Sequence, residues 1–174
     1  AASALGLSGR REGGTGPAAR SGPAGSGAVL GSSLGPGDRF PAFRLVDADG
    51  RRVSNRTLAG EPTLVWFTTS YCVPCQVGAR RVAGLDDALG GDAFRVLVVF
   101  VDPTEPTSAL RSWRSRFGRD DWLLVEDVGL ARVVGLRFLD TKFLLDRAGV
   151  IRDIDVRIAD DAYLERIREL VAAG

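Results

Sequence analysis

"PTLVWFTTSYCVPC", residues 62–75, decides how this chain folds. Its first half is an unbroken apolar run of strand length, the pattern of a strand covered on both faces. Its second half holds the chain's only two cysteines, Cys72 and Cys75, separated by two residues of which one is proline. From about Pro74 to Leu89 the apolar residues Val77, Val82, Leu85 and Leu89 fall near helical spacing, and Gly90 with Gly91 supplies a stop. A buried strand therefore runs into a helix, with the cysteine pair at the junction.

Downstream, "FRVLVVFVD" (94–102) predicts a second buried strand and "TEPTSALRSWRSRFG" (104–118) a helix with Leu110, Trp113 and Phe117 on one face. "DWLLVED" predicts a short strand, "GLARVVGL" a helical turn, and "TKFLLDRAGVIRDIDV" a hairpin about Arg147-Ala148-Gly149. "DDAYLERIRELVAA" closes the chain as an amphipathic helix capped by Asp160 or Asp161. Upstream, "PAFRLVDADGRRVS" predicts a hairpin around Asp47–Gly50. Parallel strands joined by helices, then an antiparallel pair and a final helix, predict a three-layer α/β sandwich with a central mixed sheet.

The 174 residues are 45% hydrophobic and 26% charged, which suits one globular domain. Twenty-three basic and 22 acidic residues leave a net charge of +1, with no basic stripe for nucleic acid and no polybasic membrane signal. The first 37 residues hold half of the glycines and no aromatics, and show neither helical nor strand periodicity, the composition of a flexible linker or tail. There is no initiator Met, no apolar run of bilayer length and no clean signal-peptide core. The expectation is a mature or excised soluble part whose anchor or signal is missing. The organisation expected is a Gly/Ala/Ser/Pro-rich linker over residues 1–37 and one domain over 38–174.

At a strand-to-helix junction, unpaired backbone N–H groups and the helix dipole stabilise a thiolate at Cys72, while Cys75 lies one turn further in and is more shielded. Lowering a thiol's pKa from roughly 8.5 to about 7 raises its thiolate fraction near neutral pH from a few per cent to around half. Cys72 is the candidate nucleophile. The two-residue gap lets Cys75 reach Cys72 and resolve a mixed disulfide. Pro74 is tolerated in the first helical turn because the N–H it lacks would be unpaired there. A CxxC is also half of a zinc site, but the chain has no histidine and no further cysteine to complete one.

From about Gly37 to Val171 the sequence resembles the thioredoxin superfamily, most closely its exported TlpA/ResA-like (redoxin) branch. "GDRFPAFRLVDADGRRVS" is similar to that branch's N-terminal hairpin, "LAGEPTLVWFTTSYCVPC" to its strand-and-CxxC segment, and "GLRFLDTKFLLDRAGVI" to its later strand pair. The resemblance implies a thioredoxin-like fold with an extra N-terminal β-hairpin and a thiol-disulfide oxidoreductase outside the cytoplasm. Such proteins are often tethered to a membrane, and commonly reduce cysteines of partners such as apocytochromes or copper-site proteins. The CxxC pair implies no bound cofactor, so an external redox partner must recycle it. Tyr71, Val73, Pro74 and the loop Phe138, Leu139, Asp140 and Thr141 are expected to line the docking surface.

The chain departs from that pattern at Asp140, which stands where the family carries a cis-proline facing the nucleophile. An ionised Asp140 near Cys72 opposes the thiolate; a carboxyl held there with a raised pKa exchanges protons with the pair; otherwise it turns to solvent or caps a turn. Trp66 stands where thioredoxins carry a buried acid, and reads as sheet core. Tyr71 shields the sulfur, stacks on a partner or only forms the rim. Arg80 and Arg81 read as a solvated helix face, as do Glu165, Arg166, Arg168 and Glu169. The alternatives are three. A Sco/SenC-type copper chaperone shares the fold and a "VDP" stretch like that of "VDPTEPTSALRSW", but uses a histidine and wider cysteine spacing. A thiol peroxidase would use Thr69 three residues before Cys72, with Arg137 as activating cation and Val65 where that motif has proline. The third is a redox-inactive binding module.

Overall fold

The computed structural model describes residues 34–173, so residues 1–33 of the expected linker lie outside the described part. The linker's last four residues belong to the folded part. Leu34 packs on the core, and the Gly37 N–H donates to the Ile151 carbonyl at 2.8 Å.

The first hairpin pairs β1 (Arg44–Val46) with β2 (Arg52–Ser54), antiparallel. Its turn closes on Asp47, whose carboxylate accepts the N–H groups of Asp49 and Arg51 at 3.0 and 2.7 Å, and Gly50 takes the positive φ of 83° that the turn requires. One turn of helix, α1 (Asn55–Leu58), follows directly. No apolar periodicity announces so short an element; a capping box at Ser54 and Thr57 makes it.

β3 (Thr63–Thr68) is the centre of a five-stranded sheet of order β5-β4-β3-β6-β7. Every residue of β3 is buried, as its unbroken apolar run predicts. It pairs in parallel with β4 (Arg95–Phe100), which pairs in parallel with β5 (Leu123–Glu126). On its other side lies β6 (Thr141–Leu145), antiparallel, followed by the antiparallel edge strand β7 (Ile151–Asp155). The helices are α2 (Val73–Ala88), α3 (Thr107–Phe117), the one-turn α4 (Leu130–Val133) and α5 (Asp161–Ala172). The Asp160 carboxylate caps α5 by accepting the Tyr163 N–H at 2.9 Å.

The two faces of the sheet are covered differently. One carries α2, α3 and α5, with Leu64, Trp66, Val98 and Leu144 packed under Cys75, Val82, Trp113 and Tyr163. The other carries the hairpin and the one-turn helices, with Val65, Phe67 and Phe143 under Phe40, Leu45, Leu58 and Val134. Both faces of β3 are therefore dry, and its end is a rigid mount for Cys72.

At Gly78 a Cβ would stand 3.2 Å from the Trp66 ring and 3.3 Å from the Ala159 N atom. Gly78→Val should overpack this contact and lower stability by about 1–3 kcal/mol, read as a shift of the urea midpoint.

Several charged positions expected on solvated faces have partners. Arg81 pairs with Asp161, and the Arg80 guanidinium lies 4.6 Å from the centre of the Phe117 ring. Arg168 pairs with Glu165 along its own helix at 3.0 Å, as the spacing predicts. Arg166 departs from expectation. It reaches Asp153 and Asp155 on β7, at 2.8 and 2.6 Å, because the face of α5 that carries Tyr163 lies on the sheet.

Candidate active site

Cys72 occupies the N-cap position of α2, in extended conformation, and Val73 and Pro74 form the first helical turn. Cys72 and Cys75 are joined in a disulfide, with Cα atoms 5.3 Å apart. The Cys75 N–H points at the Cys72 sulfur, 3.4 Å away, and the Gln76 N–H donates to the Cys72 carbonyl at 3.0 Å. A thiolate at Cys72 thus meets the positive end of a 16-residue helix. Accessibility separates the two sulfurs. Cys72 is partly exposed, whereas Cys75 is 0% exposed and packed with Trp66 and Ala79. Of the two sulfurs, the exposed surface belongs to Cys72.

Asp140 neither turns to solvent nor caps a turn; it is buried at 5% exposure. The described residues contain no cis peptide bond, and Asp140 alone among their non-glycine residues has a positive φ, 66°. Aspartate tolerates this left-handed conformation better than most residues. The turn is fixed by the Asp140 N–H, which donates to the Phe67 carbonyl at 3.1 Å. Inside it, the carboxylate Oδ1 accepts from the Trp66 indole Nε1 and from Lys142 Nζ, each at 2.9 Å. Lys142 also donates to the carbonyls of Asp140 and Arg157, and its ammonium stands 5.2 and 5.4 Å from the Trp66 and Tyr163 ring centres.

The register explains the meeting. Lys142 is directly opposite Trp66 across the β3–β6 pair, so both side chains stand on the face that carries α2 and Cys75. Burial pushes the Asp140 carboxyl up from its ordinary value against the opposing pull of Lys142, and pushes the Lys142 ammonium down against the pull of Asp140. Both shifts favour the neutral forms. Asp140 Oδ2 and Tyr163 Oη are buried with no hydrogen-bond partner among the described residues.

Of the expected docking residues, Tyr71, Val73 and Pro74 flank or separate the two cysteines and are exposed, and Phe138 and Leu139 are exposed in the loop before β6. Thr141 is buried, its hydroxyl donating to the Phe138 carbonyl at 2.7 Å, and so shapes the loop from within. Trp66 is 0% exposed, core as expected, with the further task of holding Asp140. Thr69 is buried and Arg137 exposed. Among the described residues no group of three or more His, Cys, Asp or Glu is placed to hold a metal ion.

Sequence reasoning missed Lys142. Its signal is visible in retrospect: the chain's single lysine, against 22 arginines, stands directly before the apolar run Phe143-Leu144-Leu145 of a buried strand. It also missed Asp102 and Glu105, which meet the peptide before Cys72 from the loop after β4.

A mixed sheet ending in a cysteine pair at a helix N-terminus, with one sulfur partly exposed and the other buried, is the apparatus of a thiol-disulfide oxidoreductase on a thioredoxin-like fold. Comparison with known proteins agrees. The Redoxin family model matches residues 35–172, and the chain belongs to that family. It is 25% identical over 138 residues to the thiol-disulfide oxidoreductase ResA of Halalkalibacterium halodurans, covering 78% of this chain and 76% of the relative. It is 27% identical over 128 residues to the thiol:disulfide interchange protein DsbE of Pseudomonas fluorescens, covering 72% and 68%. Among solved structures, the thioredoxin domain of a thiol-disulfide oxidoreductase from Bacteroides vulgatus superposes with a TM-score of 0.67 at 21% identity, covering 80% of this chain and 99% of that one.

Proposed function

We propose that this redoxin works reductively outside the cytoplasm, passing two electrons from the Cys72/Cys75 dithiol to a disulfide in a protein partner. The observation that carries the reading is the contrast in exposure between the two sulfurs across one helix start. The Cys72 thiolate attacks one sulfur of the partner's disulfide, and the other leaves as a thiolate that takes a proton from water. Cys75 then gives up its proton and attacks the Cys72 sulfur, forming the Cys72–Cys75 disulfide and expelling the second partner thiolate. The partner gains two electrons and this pair loses them. An external dithiol restores the reduced state.

Asp140 takes the Cys75 proton in the second step. A buried thiol has no water to receive its proton, and Asp140 lies on the same face of the sheet, bonded to the Trp66 indole that packs with Cys75. Lys142 keeps that carboxyl ionisable although it is buried. Tyr71, Val73, Pro74, Phe138 and Leu139 receive the partner's chain around its cysteine. Resemblance to the exported branch supports apocytochromes or copper-site proteins as the class of partner, and a membrane tether outside the described residues. None of the described helices is long and apolar enough to cross a membrane.

With insulin as disulfide substrate and dithiothreitol as the external reductant, the protein should speed separation of the insulin chains well above dithiothreitol alone. A rate equal to dithiothreitol alone would contradict the reductive reading.

A further inference from the structure

The peptide that presents Cys72 is held by groups that exchange chemistry alone does not require. The Ser70 N–H donates to both carboxylate oxygens of Glu105, at 3.1 and 2.9 Å. The Ser70 carbonyl accepts Gln76 Nε2 at 2.7 Å, and the Tyr71 hydroxyl donates to Asp102 Oδ2 at 2.8 Å. Asp102 is itself fixed, its Oδ1 accepting the Thr104 N–H and hydroxyl at 2.9 and 2.7 Å. These bonds hold Asp102 below the usual carboxylate range, the Thr104 hydroxyl contributing most. Glu105 is only 9% exposed. Neither acid is in an ion pair among the described residues.

Two uncompensated carboxylates therefore stand beside the two residues that precede Cys72. The helix terminus at the Cys72 sulfur pulls the opposite way. We infer that Asp102 and Glu105 are positioning residues for Cys72: their hydrogen bonds fix the peptide that carries it, and their charges make its thiolate less stable, keeping the pair a reductant. This deepens the reductive reading and rests on it for the direction of electron flow. The physical link is general, since stabilising the reduced thiolate makes a dithiol a stronger oxidant and destabilising it does the reverse. The "VDPTEP" stretch (101–106) thereby acquires a role at the nucleophile.

Other charges at this end of the sheet are Glu126 closing β5 and Asp127 after it, Arg137 and Asp140 before β6, Lys142 on β6, Asp155 on β7 and Arg157 after β7. Arg80 and Arg81 lie further down α2. Lys142 and Asp140 are paired with each other, as are Arg157 and Asp155, and the exposed Arg137 forms no ion pair with Asp102 or Glu105 among the described residues.

The test uses the full-length protein and the variants Glu105→Gln, Asp102→Asn and Glu105→Ala. The glutamine amide keeps one oxygen for the Ser70 N–H, gives up the second acceptor and removes the charge, so comparing Glu105→Gln with Glu105→Ala separates electrostatics from support. The pH dependence of Cys72 alkylation by iodoacetamide and the equilibrium with glutathione are measured on each. In Glu105→Gln the midpoint of Cys72 alkylation should fall by about one pH unit, and the equilibrium should shift severalfold toward the dithiol. Asp102→Asn should shift both in the same sense, and Glu105→Ala should in addition lower the urea midpoint. Alkylation profiles and glutathione equilibria that superimpose on the wild type in Glu105→Gln and Asp102→Asn would overturn the inference. Shifts of the stated sign in a wild type that proves to be an oxidant would leave the effect of the two acids on the Cys72 thiolate standing and remove the reductive reading, with it the claim that they keep the pair a reductant.

Discussion

Lys142→Met is expected to destabilise the native state by about 3–5 kcal/mol, the usual consequence of removing one partner of a buried ion pair. Lys142 is 0% exposed and its ammonium donates to the Asp140 carboxylate at 2.9 Å. Methionine fills much of the same volume between Trp66 and Tyr163, so lost packing is the smaller part of the effect. The larger part is an aspartate left buried without its cation, with only the Trp66 indole to satisfy it. The pH dependence follows from the sign of the shift. Burial already raises the Asp140 carboxyl, and without Lys142 it rises further. An acid whose folded pKa is raised disfavours the native state as pH rises through that value, so the variant should regain stability as the solution is made acid. The double variant Asp140→Asn/Lys142→Met buries no charge and should recover most of the loss. Urea unfolding of the three proteins at several pH values checks each statement.

The second large effect concerns the cysteines. Cys72→Ser should abolish exchange with protein disulfides, because the remaining sulfur is wholly buried and no partner disulfide reaches it. Cys75→Ser should do the opposite at the first step. Its Cys72 still attacks, but nothing resolves the product, so a covalent adduct through Cys72 accumulates. Mass spectrometry of each variant after incubation with oxidised partner or oxidised glutathione reads the outcome. An adduct on Cys72→Ser and none on Cys75→Ser would reverse the assignment of nucleophile and resolving residue.

What the sequence discloses here divides along physical lines. β3 is legible because a strand covered on both faces must be apolar throughout, and α2 because its apolar spacing and glycine stop are local signals. The edge hairpin β6–β7 is legible from its turn residues, with Gly149 at φ 75°. The one-turn helices α1 and α4 share one sheet face with the N-terminal hairpin, and nothing in so short a segment declares which face it will cover.

In the site, the cysteine pair and the greater shielding of Cys75 can be read from strand, proline and helix alone. Asp140 can be noticed as a departure from a resemblance, but its burial cannot. That depends on a lysine two residues on, an indole 74 residues earlier and the register that sets them opposite each other. Likewise Glu105 binds the Ser70 N–H across 35 residues, and only the parallel pairing of β3 with β4 brings their ends together.

The central claim is that Cys72 and Cys75 form a working redox couple, and its most direct test is equilibration of the native protein against mixtures of reduced and oxidised glutathione. The account predicts a reversible two-electron transition between dithiol and disulfide, at a potential on the reducing side of the glutathione couple. A pair that forms no disulfide, or that does not exchange with glutathione in either direction, would contradict it.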